Sequence, residues 1–315
     1  MSTPLGSSMT TSQSTYTPKH QPRWQVWMDI VQRDKRPVWG LAILLFFVGL
    51  AVFAPIFTPY SPTATAFTPM MGPSARHWLG TTASGQDVWS QFLYGGRISL
   101  SVGFASGFIA TVLAVALGML PAYLGGWVDT LMATVTNIML VIPGLPLLIV
   151  ITAYVHQAGP LTIAVVIALT GWAWGARILR SQTLTLSRRD FVSASRLAGE
   201  SRWRVLVAEI LPNMLSLVVA NLVFATIGAI LAEASLEFLG LGNPSAVTWG
   251  TMLFWANSGG ALLSGAWWWI VPPGLAIALV GLGLALVNFG VDQLSNPRLR
   301  LSRVRLPKAD KGVTR

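Results

Sequence analysis

Charge is missing from this chain in long blocks, and those blocks constrain the fold more than any motif does. No residue between Arg97 and Asp129 is charged, none between Asp129 and Arg177, and none from Phe238 to Val291. Crossing ~30 Å of hydrocarbon takes about 20 apolar residues in a helix, which satisfies its own backbone there. The runs predict helices near Val38–Phe57, Ile98–Leu120, Leu131–Ala153, Leu161–Leu179, Ile210–Ala232 and Trp267–Phe289. The break at His156-Gln157-Ala158-Gly159-Pro160 divides the third from the fourth. Gly240, Gly242, Asn243, Pro244 and Gly250 mark the first part of the last run as loop. The expectation is an all-α, polytopic membrane protein with six transmembrane helices.

Composition supports the same class. Only 10% of the 315 residues are charged, against about 25% in a soluble domain, which excludes a soluble globular or a disordered chain. The net charge of +10 could suggest nucleic acid. Its placement points to the inner face of a membrane instead, with no nucleic-acid partner. Nineteen of the 21 cations fall before the first span, between the fourth and fifth, or in the tail; Arg76 and Arg97 are the other two. Cytoplasmic loops collect cations, so both termini are expected in the cytoplasm. The organisation read from this is an N-terminal cytoplasmic arm over 1–37, a permeation domain over 38–291 and a basic cytoplasmic tail over 292–315. Within the domain, 58–97 is an external segment and 180–209 a cytoplasmic loop. Residues 1–22, rich in Ser, Thr, Gln and Pro, read as a disordered arm. Trp24, Trp27, Met28 and Val31 recur at helical spacing and predict a short helix lying in the headgroup region. The first apolar run is longer than a signal-peptide core and follows 37 residues, so it reads as a retained span.

Small residues recur four apart in the second span, as Gly103 and Gly107 and as Ala110, Ala114 and Gly118. Such rows let helix backbones approach closely, and an internal bundle contact is expected there.

Catalytic chemistry is sparse. There is no cysteine, and His20, His77 and His156 lie far apart without neighbours at ligand spacing, so no metal site and no cofactor are expected. No Gly-x-Ser-x-Gly elbow occurs, and no lysine sits in a phosphate-cradling glycine loop. The chain reads as no enzyme, and any energy source must lie outside it.

The informative segment is the basic loop between spans four and five. Ala194, Leu197 and Ala198 share one helical face, and Gly199 follows where a helix C-terminus favours glycine. A second short helix is expected next, with Pro212 at the start of span five, where its missing N–H does least harm. The spacing predicts a helix–glycine–helix elbow at the cytoplasmic surface.

This loop resembles the coupling loop of ABC importer permeases, the EAA motif, of pattern E-A-A-x3-G-x9-I-x-L-P. Ser193-Ala194-Ser195, Gly199, Glu209 and Leu211-Pro212 occupy its positions, with Ser193 in place of the glutamate, Ser195 in place of an alanine and Glu209 in place of the isoleucine. His77-Trp78-Leu79-Gly80-Thr81, Gly85, Asp87, Tyr94-Gly95 and Arg97-Ile98-Ser99-Leu100 resemble the peptide-permease subfamily, from which Thr82 and Gln86 depart. So do Pro143-Gly144, Ser235 to Gly242, Trp249-Gly250 and Asn296-Pro297-Arg298-Leu299. The chain is most similar to the second permease subunit of dipeptide, oligopeptide and nickel importers, in order over about residues 30–302.

The resemblance implies a type I ABC importer permease fold in the bacterial inner membrane. It also implies a homologous second permease, two cytoplasmic ATP-binding subunits docked on the coupling helices, and an external substrate-binding protein. Residues Ser193, Ala194, Ser195, Leu197, Ala198, Gly199, Leu211 and Pro212 would couple to the ATPase, and substrate would cross between the two permeases. The cargo implied is a di- or oligopeptide; a nickel chelate or another small solute is the alternative. A secondary transporter would call for charged or unwound midspan sites and inverted repeats, neither of which is evident.

Three charged residues are candidates for an external gate or substrate path. Glu233 and Glu237, four apart at the outer end of span five, could attract a peptide ammonium or mark the water boundary of the helix. Arg97, at the start of span two, is an interfacial anchor or part of the gate. The Trp267-Trp268-Trp269 run reads as an aromatic belt.

Overall fold

The computed structural model describes residues 34–155 and 159–295. The expected interfacial helix around Trp24–Val31, the N-terminal arm and the tail beyond 295 lie outside those residues. Among the described residues the chain is all helical, apart from one isolated antiparallel bridge between Thr81 and Asp87.

Helix α1 (Arg36–Val52) is followed, after a break at Phe53, by the single turn Ala54–Phe57. The long helix α2 (Val88–Leu124) contains a π-helical segment at Val115–Met119. Then come α3 (Gly126–Val141), α4 (Gly144–Tyr154), α5 (Pro160–Leu186), α6 (Asp190–Leu197), α7 (Arg202–Phe238), α8 (Trp249–Ser258) and α9 (Trp267–Ser295). Helices α2, α5, α7 and α9 are long and apolar enough to cross a membrane, and α3 with α4 makes a fifth if the bent pair counts as one. Helix α1 is apolar but only 17 residues long.

Most boundaries differ from the sequence expectation: α1 stops at Val52, α5 and α9 run on to Leu186 and Ser295, and α7 spans Arg202–Phe238. Two of the differences have a clear local reason. The third run is not one straight helix: α3 and α4 meet at 88°. Pro143 disfavours helical backbone at the residue before it, and Ile142 is extended, at φ −71° and ψ 125°. Helix α2 begins ten residues before Ile98 because Asp87 caps it, accepting from Ser90 N at 2.8 Å and Ser90 Oγ at 2.7 Å. That carboxylate also bonds His77 Nδ1 at 2.8 Å. His77 therefore has an acidic partner that its sequence neighbours do not reveal. The contact ties segment 58–87 onto the end of α2.

Helix α2 is the central element, packed along α5 and α7. The expected small-residue rows face these helices. A Cβ at Gly103 would run into the Ile230 side chain, one at Gly107 would lie 2.7 Å from Thr226 N, and one at Gly118 would lie 2.7 Å from Ala176 Cα. Helix α1 packs against α9, where Gly40 abuts the Gly283 backbone.

Candidate coupling surface and translocation groove

Helix α6 ends in a double-bonded turn built on glycine. Glu200 N donates to Ser195 O at 3.2 Å, and Gly199 N donates to Arg196 O at 3.1 Å. This pairing requires a left-handed residue at the turn, and Gly199 has φ +81°. The chain re-enters helix at once, with Ser201 Oγ accepting from Arg204 N at 3.3 Å. The elbow is thus present, but its second arm is no separate short helix. It runs unbroken into α7, through a π-helical segment at Val205–Ile210. That widened turn immediately precedes Leu211 and Pro212. A proline there removes one backbone bond and crowds the carbonyl four residues back.

The elbow is anchored on one face and open on the other. Val192 is fully buried in a cluster with Leu179, Val205, Leu206 and Ile210. Two residues turn a helix by about 200°, so Ala194 points the opposite way. Ser193, Ala194 and Ala198 are exposed and Leu197 is 90% exposed, although an apolar residue of that size is normally covered. Ser195 Oγ turns back onto Phe191 O at 3.0 Å. Leu211 is half-buried and Pro212 exposed. Two further contacts escaped the sequence reading. The Arg196 guanidinium lies 5.0 Å from the centre of the Tyr123 ring, tying α6 to the end of α2. Arg180 meets Asp129 through two bonds of 2.7 and 2.8 Å, joining α5 to the start of α3. Their partners lie 73 and 51 residues away, so no local pattern announces them.

A groove of about 810 Å³ lies between α2, α4, α5 and α7. Trp174 and Phe224, both exposed, stand at its side, and Gly144, Gly171 and Gly228 line it with open space above their Cα atoms. Its wall is mainly apolar, with Ser106, Thr170, Asn221 and Ser235 as polar points. Asn221 is held by a bond from its Nδ2 to Thr111 Oγ1 at 3.0 Å.

The two acids sit elsewhere, and neither marks a water boundary. Glu233 and Glu237 are 1% and 3% exposed. Ser99 Oγ donates to Glu233 Oε1 at 3.0 Å and accepts from Trp249 N at 3.2 Å. Thr248, which caps α8, donates to Glu237 Oε2. The Trp249 indole donates to Phe92 O at 3.0 Å. One network thus knits α2, α7 and α8, and it draws on three sequence segments that carry the resemblance: Arg97–Leu100, Ser235–Gly242 and Trp249-Gly250. Arg97 is exposed and outside this network. The tryptophan run is not a uniform belt. Trp267 is exposed, Trp268 packs on Gly80, and Trp269 is buried. Among the described residues no three His, Asp or Glu side chains cluster as a metal site.

The family comparison decides the class. Residues 110–301 match the model of the binding-protein-dependent transport system inner membrane component. The chain belongs to this family. Residues 23–73 match the N-terminal transmembrane domain of oligopeptide transport permease C. The permease is 34% identical to the dipeptide transport system permease protein DppC of Bacillus subtilis, over 86% of its own chain and 84% of that relative. It is 36% identical to a putative peptide transport system permease protein of Brucella abortus, over 83% and 88% of the two chains. With the oligopeptide transport system permease protein OppC of Bacillus subtilis the figures are 31%, 87% and 90%. The permease is accordingly a multi-pass component of the inner membrane with a transport role, not an enzyme.

Proposed function

We propose that this permease is one of two homologous subunits forming the path of an ABC importer for di- or oligopeptides. Two ATP-binding subunits drive it from the cytoplasm, and an external binding protein delivers cargo. The peptide relatives support the cargo class. The observation that carries the coupling role is α6: a short helix anchored by Val192 that presents Ala194, Leu197 and Ala198 to the outside of the bundle. The groove beside Asn221 supports a path completed by the second permease. In this reading the chain spans six times, with α1 first and the bent α3–α4 pair third. Both termini are cytoplasmic, in line with the cation distribution. The arm is 1–37, the domain 38–291 and the tail 292–315, with 58–97 outside and 180–209 as the coupling loop. Ser193, Ser195, Gly199, Leu211 and Pro212 shape the elbow. Arg97, Glu233 and Glu237 belong to the outer end, where the two acids hold α8.

The test is Ala194→Asp, read by co-purification of the ATPase and by peptide uptake in vesicles. A charge buried without a partner at the docked face costs about 3–5 kcal/mol, so both readouts should fall by orders of magnitude. Arg188→Ala, an exposed flanking cation, should change neither. Wild-type docking and uptake in Ala194→Asp would remove the coupling role from α6.

A further inference from the structure

Helix α6 is tied to the bundle at two points of different kind. Val192 packs in a cluster with Leu179, Val205, Leu206 and Ile210, which belong to α5 and α7, the helices that α6 already joins along the chain. One turn on, Arg196 reaches a third helix: its guanidinium lies 5.0 Å from the centre of the Tyr123 ring on α2. Glu200, the acid nearest to it along the chain, is taken by Arg204. Among the described residues no carboxylate pairs with Arg196. Tyr123 is 8% exposed and held in the same apolar cluster as Val192. Its hydroxyl is buried and meets no hydrogen-bond partner, so the ring face is what it offers to α6. A cation over an aromatic face is held electrostatically, and more strongly where water is kept out.

Tyr123 stands on a short lever. The stretch Leu120–Leu124 follows the π-helical segment Val115–Met119. Gly125 and Gly126 come next, at φ +72° and +68°, with open space where a Cβ would stand. Helices bend at π-helical turns and at glycines. Beyond this corner, Asp129 and Arg180 fasten the start of α3 to α5, which gives α3 a pivot. Helix α3 leads into α4, whose Gly144, Leu145 and Leu148 line the groove.

We propose that Arg196 and Tyr123 are positioning residues for transport, a strut that carries movement of α6 into the corner between α2 and α3 and so to the groove wall on α4. Val192 by itself lets α6 ride with α5 and α7; the strut makes the end of α2 follow. The inference rests on the coupling role proposed for α6.

The test uses the assembled transporter in liposomes, with its binding protein and a radiolabelled peptide that the wild type imports. Two quantities are read: peptide imported per ATP hydrolysed, and the affinity of the ATPase subunit for the permease in nanodiscs. Arg196→Gln removes the cation from an exposed side chain, and Tyr123→Leu keeps an apolar filler while removing the ring face. Each should lower peptide imported per ATP about fivefold, with docking affinity within about twofold of wild type. Tyr123→Phe loses only the unpartnered hydroxyl and Arg196→Lys keeps a cation, so both should stay within about twofold on both readouts. The double variant should be no worse than either single change, because each removes the same contact. Wild-type import per ATP in Arg196→Gln overturns the strut. So does Tyr123→Phe failing as badly as Tyr123→Leu, a Tyr123→Leu that melts earlier but keeps its import per ATP, or losses that multiply in the double variant. A loss of docking in Arg196→Gln puts Arg196 on the ATPase-facing surface and overturns the strut while the coupling role of α6 stands. Wild-type docking and uptake in Ala194→Asp remove the coupling role itself, and the strut with it.

Discussion

Gly199 offers a substitution whose cost comes from the backbone alone. Nothing lies within 4 Å of where its Cβ would stand, so a larger side chain meets no steric block. The strain is in φ, which is +81°. An L-residue with a Cβ costs roughly 1–2 kcal/mol there, asparagine less than others, and a β-branched residue most. If docking needs the folded elbow and the undocked elbow can relax, affinity for the ATPase falls by the same amount. One to two kcal/mol corresponds to about 5- to 30-fold. The expected order of affinity is wild type, Gly199→Asn, Gly199→Ala, Gly199→Val, with only a small loss for Asn. The assay is titration of purified ATPase subunit onto the permease complex in nanodiscs, with membrane insertion checked for each variant. Asn as damaging as Val would show that bulk, not backbone geometry, is what the site rejects. Val equal to wild type would show that the glycine turn has no part in docking.

Other substitutions test the packing. Gly107→Val drives side-chain atoms into the α7 backbone, where a Cβ already lies 2.7 Å from Thr226 N. It should destabilise the bundle by about 1–3 kcal/mol or more, read as a lowered melting temperature in detergent, while Gly49→Ala, with open space around it, should not. Asp129→Asn breaks a partly exposed bidentate pair with Arg180 and should cost about 1 kcal/mol. Exchanging the two residues, with Arg at 129 and Asp at 180, should recover much of that loss in the same melting assay.

Local patterns were legible in the sequence; distant meetings were not. The small-residue row at Gly103 and Gly107 could be read as a helix contact because its meaning lies in a four-residue spacing. The helix end at Gly199 was legible for the same reason, since left-handed backbone has a residue preference. The bend at Ile142-Pro143 had its signal in the proline, but hydropathy dominates a run of apolar residues and hides a turn inside it. The acid network had no such signal. Ser99 and Glu233 are 134 residues apart, and Ser99 and Trp249 are 150 apart. Four-residue spacing correctly set Glu233 and Glu237 on one face. Whether that face meets water or another helix depends on α8, whose return to the bundle no local period encodes. The His77–Asp87 contact spans only ten residues, yet it crosses an irregular segment where neither helical nor strand periodicity applies.

The π-helical segment at Val205–Ile210 gives these two scales a common test. It lies between the elbow and the stretch of α7 that carries Glu233 and Glu237, so the angular relation of the two ends of α7 passes through it. A π-helical turn amounts to one residue more than an α-helix needs over the same rise, absorbed without rotating the helix beyond it. Deleting exposed Val207 should therefore convert the segment to regular helix while Glu233 still meets Ser99 and Ala194 still faces outward. Deleting Val219, in the regular part of α7, has no surplus residue to remove and turns one end against the other by about 100°. Either the acids leave Ser99 and Thr248, or the elbow turns away from its anchor at Val192. The first deletion should leave melting temperature and ATPase docking close to wild type, and the second should lose at least one of them. If both deletions are equally damaging, the π-helical turn is no spare residue, and the ends of α7 are aligned by something other than its length.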